Sequence, residues 1–156
     1  MKIHLIAVGR RVPDWVERGY HEFSKRLPAE HRIHLIEIAT GKRHKNSDVK
    51  QHVEREGKQM VAAIPAASTV IALDVKGQQW STEQLAKRFA AWRHEGRDIS
   101  LLVGGPDGLA PDCLKRARHI WSLSQLTLPH ALVRVVIAEQ LYRAWSMINE
   151  HPYHRG

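Results

Sequence analysis

Cysteine is nearly missing from this 156-residue chain: Cys113 is the only one. No intramolecular disulfide can form, which suits a reducing cytoplasm. Long apolar runs are missing too. Nowhere do about 18 apolar residues follow one another, so no membrane-spanning helix is expected. The opening "MKIHLIAVGRR" is too short in its apolar core, and lacks a small-x-small site, to read as a secretory signal. It is expected to be a first β-strand. Histidines are plentiful at 11, yet no H-x-x-x-H or C-x-x-C pair occurs, so no metal site is expected. The turn "GGPDG" does not match G-x-G-x-x-G, and no Gly-Lys-Ser/Thr follows it. Dinucleotide and P-loop chemistry are both disfavoured.

What is present is a globular composition with an excess of positive charge. Apolar residues make up 43% and charged residues 26%, and the formal net charge is +8. The pI is near 10.0. Such a balance favours a polyanionic partner, with nucleic acid ahead of an anionic membrane surface. The length suits one domain, 1–156, without linker, repeat or composition break.

Strand and helix patterns alternate five times. Val16, Tyr20, Phe23 and Leu27 mark one face of a helix opening near Pro13. Ile33, Leu35, Ile36 and Ile38 give a second strand. Asn46, Ser47 and Asp48 offer caps to a helix carrying Val49, Val53, Met60 and Ile64. A strand from Thr69 to Val75 follows, then a helix with Ser81 and Gln84 spaced as a capping box. The strand from Ile99 to Val103, a short helix from Pro111 to Ala117 and "HIWSLS" complete the alternation. The expected fold is α/β, a mostly parallel sheet flanked by helices. Ligands of such sheets lie beyond the carboxyl ends of the strands. Leu73 with Asp74, Gly104 with Gly105, and "SLSQLT" are those ends here.

The last helix is expected over about Pro129 to Asn149, capped by Thr127 or Ser124 with Pro129 in its first turn. Leu132, Val133, Val135, Val136 and Ile137 crowd its first half, while Leu141, Trp145 and Ile148 mark the second. A helix apolar on several sides must be covered on several sides. One sheet does not suffice, so a homodimer is expected. The free terminus "HPYHRG" carries an aromatic ring, an imidazole and a guanidinium, a set suited to handling an RNA base. "GKRHKN" adds Lys42, Arg43 and Lys45 as candidate phosphate contacts, the ordinary alternative being a solvated loop.

Taken together, "LLVGGPDGL", "SLSQLTLPHALVRVVIAEQLYRAWSM" and "HPYHR" resemble the ribosomal RNA large-subunit methyltransferase H family, SPOUT-class enzymes that methylate pseudouridine in 23S rRNA. The resemblance spans the whole chain and implies a C-terminal trefoil knot, an exception to the unknotted rule. It implies S-adenosyl-L-methionine as cofactor, bound by Leu73, Gly104, Leu123, Ser124, Gln125, Leu126, Thr127 and Leu128. The tail residues Tyr153, His154 and Arg155 are implied as the catalytic, substrate-handling groups, with Arg143 beside them as an RNA contact and His154 as first candidate for taking the proton. The implied partner is 23S rRNA in the large subunit or assembled ribosome. Two other readings stand: a SPOUT methyltransferase of another RNA such as tRNA, and a non-catalytic basic module that binds RNA or the ribosome, in which the glycine turn is only a turn.

Overall fold

In the computed structural model, residues 1–40 and 48–155 are described. The order of elements is β1(Ile3–Val8), α1(Asp14–Ser24), β2(Ile33–Ile38), α2(Val49–Ala63), β3(Thr69–Gln79), α3(Thr82–Glu95), β4(Ile99–Val103), α4(Pro111–Arg116), β5(His119–Ser122) and α5(His130–Ile148). The five strands form one sheet in the order β2-β1-β4-β3-β5, and every pairing is parallel. The expected α/β class therefore holds.

Parallel strands are buried on both faces, and their alternation sorts two cores. Ile3, Leu5 and Ala7 of β1 join Ile99, Leu101 and Val103 of β4 under α1, α3 and α5. Ile6 and Val8 point the other way and join Leu102, Val70, Met60 and Cys113 under α2 and α4. The result is three layers, with α5 packed between α1 and α3 on the first face.

Local chemistry explains most boundaries. Ser81 and Gln84 form the full capping box at the start of α3, and Gly96 ends that helix at φ +71°. Asp48 is the residue that caps α2, accepting from the Gln51 backbone N–H. Of the stripe expected on α2, Met60 is buried and Val53 and Ile64 pack against the second core, whereas Val49 is exposed; Glu56 and Gly57 are buried beside them. Gly57 is where α4 crosses, since a Cβ there would lie 2.4 Å from the Ala110 Cβ.

Two other expectations are corrected. Neither Thr127 nor Ser124 caps α5, whose N-cap is Pro129 with no side-chain bond. Ser124 is committed to its own turn, its Oγ accepting from the Leu126 N–H at 2.9 Å. The third strand also runs on past Val75 to Gln79, because it bulges and rejoins β5.

Candidate active site

That bulge shapes the first wall of a cavity at the carboxyl ends of β3, β4 and β5. Leu73 pairs with Trp121, the register then slips, and Gln78 pairs with Trp121 again. The four residues between are thrown out of the ladder, a device that re-aims side chains at sites. Asp74 and Val75 thereby face the cavity. The Asp74 carboxylate holds the bulge by accepting from the Lys76 N–H at 2.8 Å. Gly77 lets the strand return: a Cβ there would lie 2.6 Å from the Ile120 carbonyl oxygen.

The second wall is the glycine turn after β4. A Cβ on Gly104 would meet the Gly108 backbone at 2.6 Å, and one on Gly105 would meet Val8 Cγ1 at 3.0 Å. Gly108 adopts φ +81°, and its N–H closes the turn on the Gly105 carbonyl at 3.0 Å. Gly104 is thus required by the turn's own backbone, before any ligand is considered.

The third wall is the chain between β5 and α5. Ser122 Oγ donates to the Ser124 carbonyl at 3.0 Å. With the Ser124 turn, this keeps residues 123–128 outside any strand or helix, so their peptide groups are not spent on a ladder. Leu123, Ser124, Leu126, Thr127 and Leu128 all line the cavity, together with Leu73 and Gly104. Gln125, expected with them, is exposed and does not.

The cavity holds about 280 Å³ and is lined mainly by aliphatic side chains, with Asp74 and His130 as its ionisable groups. Leu126 stands on its rim 73% exposed, an apolar side chain without cover. Trp121 lies in the lining, and its indole N–H is buried with no acceptor among the described residues. Apolar walls for a flat ring, peptide groups outside any ladder for its edge and one carboxylate for its cationic end suit S-adenosylmethionine. Asp74 was named only as a strand end, and His130 and Trp121 escaped the sequence reading as site residues. A glycine inside a strand pattern, Gly77, was the available sign of the bulge.

The tail lies elsewhere. Pro152–Arg155 forms a 3-10 turn folded back on α5. The Tyr153 ring lies 4.6 Å from that of Tyr142, and the Arg143 guanidinium stands 5.0 Å over it. Burial is the main cause that pushes the Tyr153 phenol up, with Glu139 adding to it against Arg143 and Arg26. His154 Nδ1 is 3.4 Å from Ser146 Oγ. Arg143 Nε donates to Glu139 at 2.6 Å, and Arg155 is exposed. Since α5 rises about 1.5 Å per residue, Ser146 stands roughly 24 Å along the helix from His130. Cavity and tail are therefore apart within one chain. Lys42, Arg43 and Lys45 lie outside the described residues.

The decisive likeness is to a family model described as predicted SPOUT methyltransferase, which matches residues 1–154. The chain belongs to the SPOUT methyltransferase family. Membership implies S-adenosylmethionine-dependent methyl transfer, in keeping with the cavity. Among solved structures, the chain is similar to a probable methylase family protein from Haemophilus influenzae Rd KW20, with a TM-score of 0.56 and 14% identity. That match covers 97% of this chain and 69% of the other, and carries the fold alone. In this SPOUT protein no helix among the described residues is long and apolar enough to cross a membrane. Nor does any group of three or more His, Cys, Asp or Glu among them form a metal-holding cluster.

Proposed function

We propose that this SPOUT protein methylates N3 of a pseudouridine in 23S rRNA of the large ribosomal subunit, working as a homodimer whose two cavities are each completed by the other chain. The observation that carries the reading is the separation of cavity and tail along α5. A two-fold interface repeats one surface on both subunits. Two antiparallel copies of α5 bring the His130 end of one against the tail of the other. Leu132 and Val136, one turn apart on α5, are half-buried and join neither core, which leaves an apolar stripe for that contact. The knot implied by the sequence resemblance belongs to the same proposal, as the route by which residues 123–128 cross the end of the sheet.

S-adenosylmethionine, when bound, supplies an electrophilic methyl on a sulfonium. Leu73 and Leu126 would hold its flat ring between apolar walls, and the Asp74 carboxylate would favour its positive end electrostatically. Bound there, it would give up that methyl to N3 with the sulfur–carbon electrons returning to sulfur, so the chain's own task would be to remove the N3 proton. His154 of the partner subunit takes that proton as the general base. Tyr153 stacks on the base, whose pairing edge must be free of the duplex. Arg143, Arg155, Lys42, Arg43 and Lys45 meet backbone phosphates.

The test is mass mapping of RNA after incubating the protein and S-adenosylmethionine with ribosomes and, separately, with tRNA. One new methyl on a 23S rRNA pseudouridine is the expected result. A methyl on tRNA instead overturns the substrate, and RNA binding without methyl transfer overturns the enzyme.

A further inference from the structure

A second cleft opens beside the carboxyl ends of β1 and β2, between α1 and α5, with a volume of about 320 Å³. It shares no lining residue with the first cavity. Arg10, Arg11, Tyr20, His21, Glu37 and Arg134 supply its polar groups, with Glu17 on the rim.

Two donors in it find no acceptor among the described residues. Arg134 is 2% exposed, the largest fully buried side chain among them. Its Nη1 donates to Glu37 Oε2 at 2.8 Å and its Nη2 to the Gly9 carbonyl at 2.6 Å, while its Nε has no partner among the described residues. Tyr20 is 5% exposed, and its hydroxyl has none among them either. Burial, opposed in part by Arg134 and helped by Glu37, pushes that phenol up to about 12, so it keeps its proton and stays a donor. An unsatisfied buried donor has given up its bonds to water and gained none in return. Two such donors lining one cleft point to an acceptor from outside the fold.

The charge balance says which acceptor. The carboxylate of Glu37 is spent on Arg134, and Glu17 lies 4.0 Å from His21. Arg10 and Arg11 remain exposed at the mouth. Arg134 Nη2 donates to both the Gly9 and the Val8 carbonyls, so the side-on fork of Nε with Nη2 that suits a planar carboxylate is closed. What remains is a set of single donors from separate elements, which suits oxygens set tetrahedrally about one centre.

We propose that this cleft binds a tetrahedral oxyanion of the phosphate class through Arg134 Nε, the Tyr20 hydroxyl and the side chains of Arg10 and Arg11. The same chemistry is offered by free phosphate and by a phosphodiester of bound RNA. The site stands apart from the methyl-transfer reading, because inorganic phosphate alone tests it.

The experiment is an NMR titration of the full chain, labelled with nitrogen-15, following the Arg134 Nε–H resonance at constant ionic strength. Inorganic phosphate is one probe and a single-stranded oligouridylate the other. A saturable shift is expected with at least one of them. Tyr20→Phe keeps the packing and should weaken that binding at least fivefold, as should the exposed pair Arg10→Gln and Arg11→Gln. A shift with the oligonucleotide alone assigns the oxyanion to an RNA backbone, and a shift with phosphate assigns it to the free ion. No saturable shift with either probe overturns the site and leaves the orphaned donors to water. Unchanged affinity in the Gln pair, or in a folded Tyr20→Phe, does the same.

Discussion

Gly104 and Gly108 approach so closely that a Cβ on Gly104 would lie 2.6 Å from the Gly108 carbonyl carbon. Real Cβ atoms do not come that near, and the obstacle is backbone, which cannot rotate away. Gly104→Ala should therefore destabilise the protein by about 1–3 kcal/mol with no ligand present. Denaturant melts of the apo protein measure this. An unchanged midpoint together with weakened cofactor binding would return the glycine to a ligand-clearance role.

Leu126 offers the complementary experiment. Being largely exposed, Leu126→Ala should leave stability within about 0.5 kcal/mol. If the side chain closes over bound S-adenosylmethionine, affinity should fall by about 1.5 kcal/mol, roughly tenfold. Calorimetric titration decides, and undiminished affinity removes Leu126 from the site.

Deleting Tyr153, His154 and Arg155 should abolish methyl transfer and leave cofactor affinity in place. The contacts of Tyr153 with Tyr142 and Arg143 add a modest loss of melting temperature. Mixing tail-deleted subunits with Leu73→Asp subunits, each inactive alone, should restore part of the activity if the cavity of one chain takes the tail of the other. Mixed dimers that form and stay inactive would place the tail in its own chain.

Asp98 carries a pH signature. Its burial works against ionisation, but the Lys2 backbone N–H, the hydrogen bond and charge of His4, and the terminal ammonium together hold it below the usual carboxylate range. A carboxylate lowered in the fold adds stability above the unfolded value, near 3.9, and loses it as pH falls through the folded value. The stability gap between the protein and Asp98→Asn should be widest at neutral pH and close in acid. Urea melts from pH 7 to pH 3 show this, and a constant gap refutes it.

Cys113 should resist alkylation in the native state. Its thiol is buried against the Gly57 carbonyl at 3.7 Å, and that burial, with Asp112 nearby, pushes it up. Iodoacetamide labelling should appear only as denaturant unfolds the chain.

Period and punctuation were enough to find every strand and helix core, because burial on both faces leaves continuous apolar runs and caps mark the ends. Ser81 with Gln84 is a local device, so the spacing alone displayed it. The stretch after β5 was legible as the end of a strand pattern, while its individual cavity residues from Leu123 to Leu128 came from family likeness, since an irregular segment has no period. Other features arise from distant segments meeting, and only the tertiary structure decided them. The bulge that turns Asp74 inward needs β5 beside β3, and Gly104 is explained by a turn that closes on itself. Arg134 sits in an apolar helix pattern where no local rule buries a guanidinium, and it is kept there by Glu37 and Gly9, nearly a hundred or more positions away in sequence. Sequence patterns record what each residue does to its neighbours along the chain, whereas a buried charge or a close backbone contact depends on partners that only folding brings into reach.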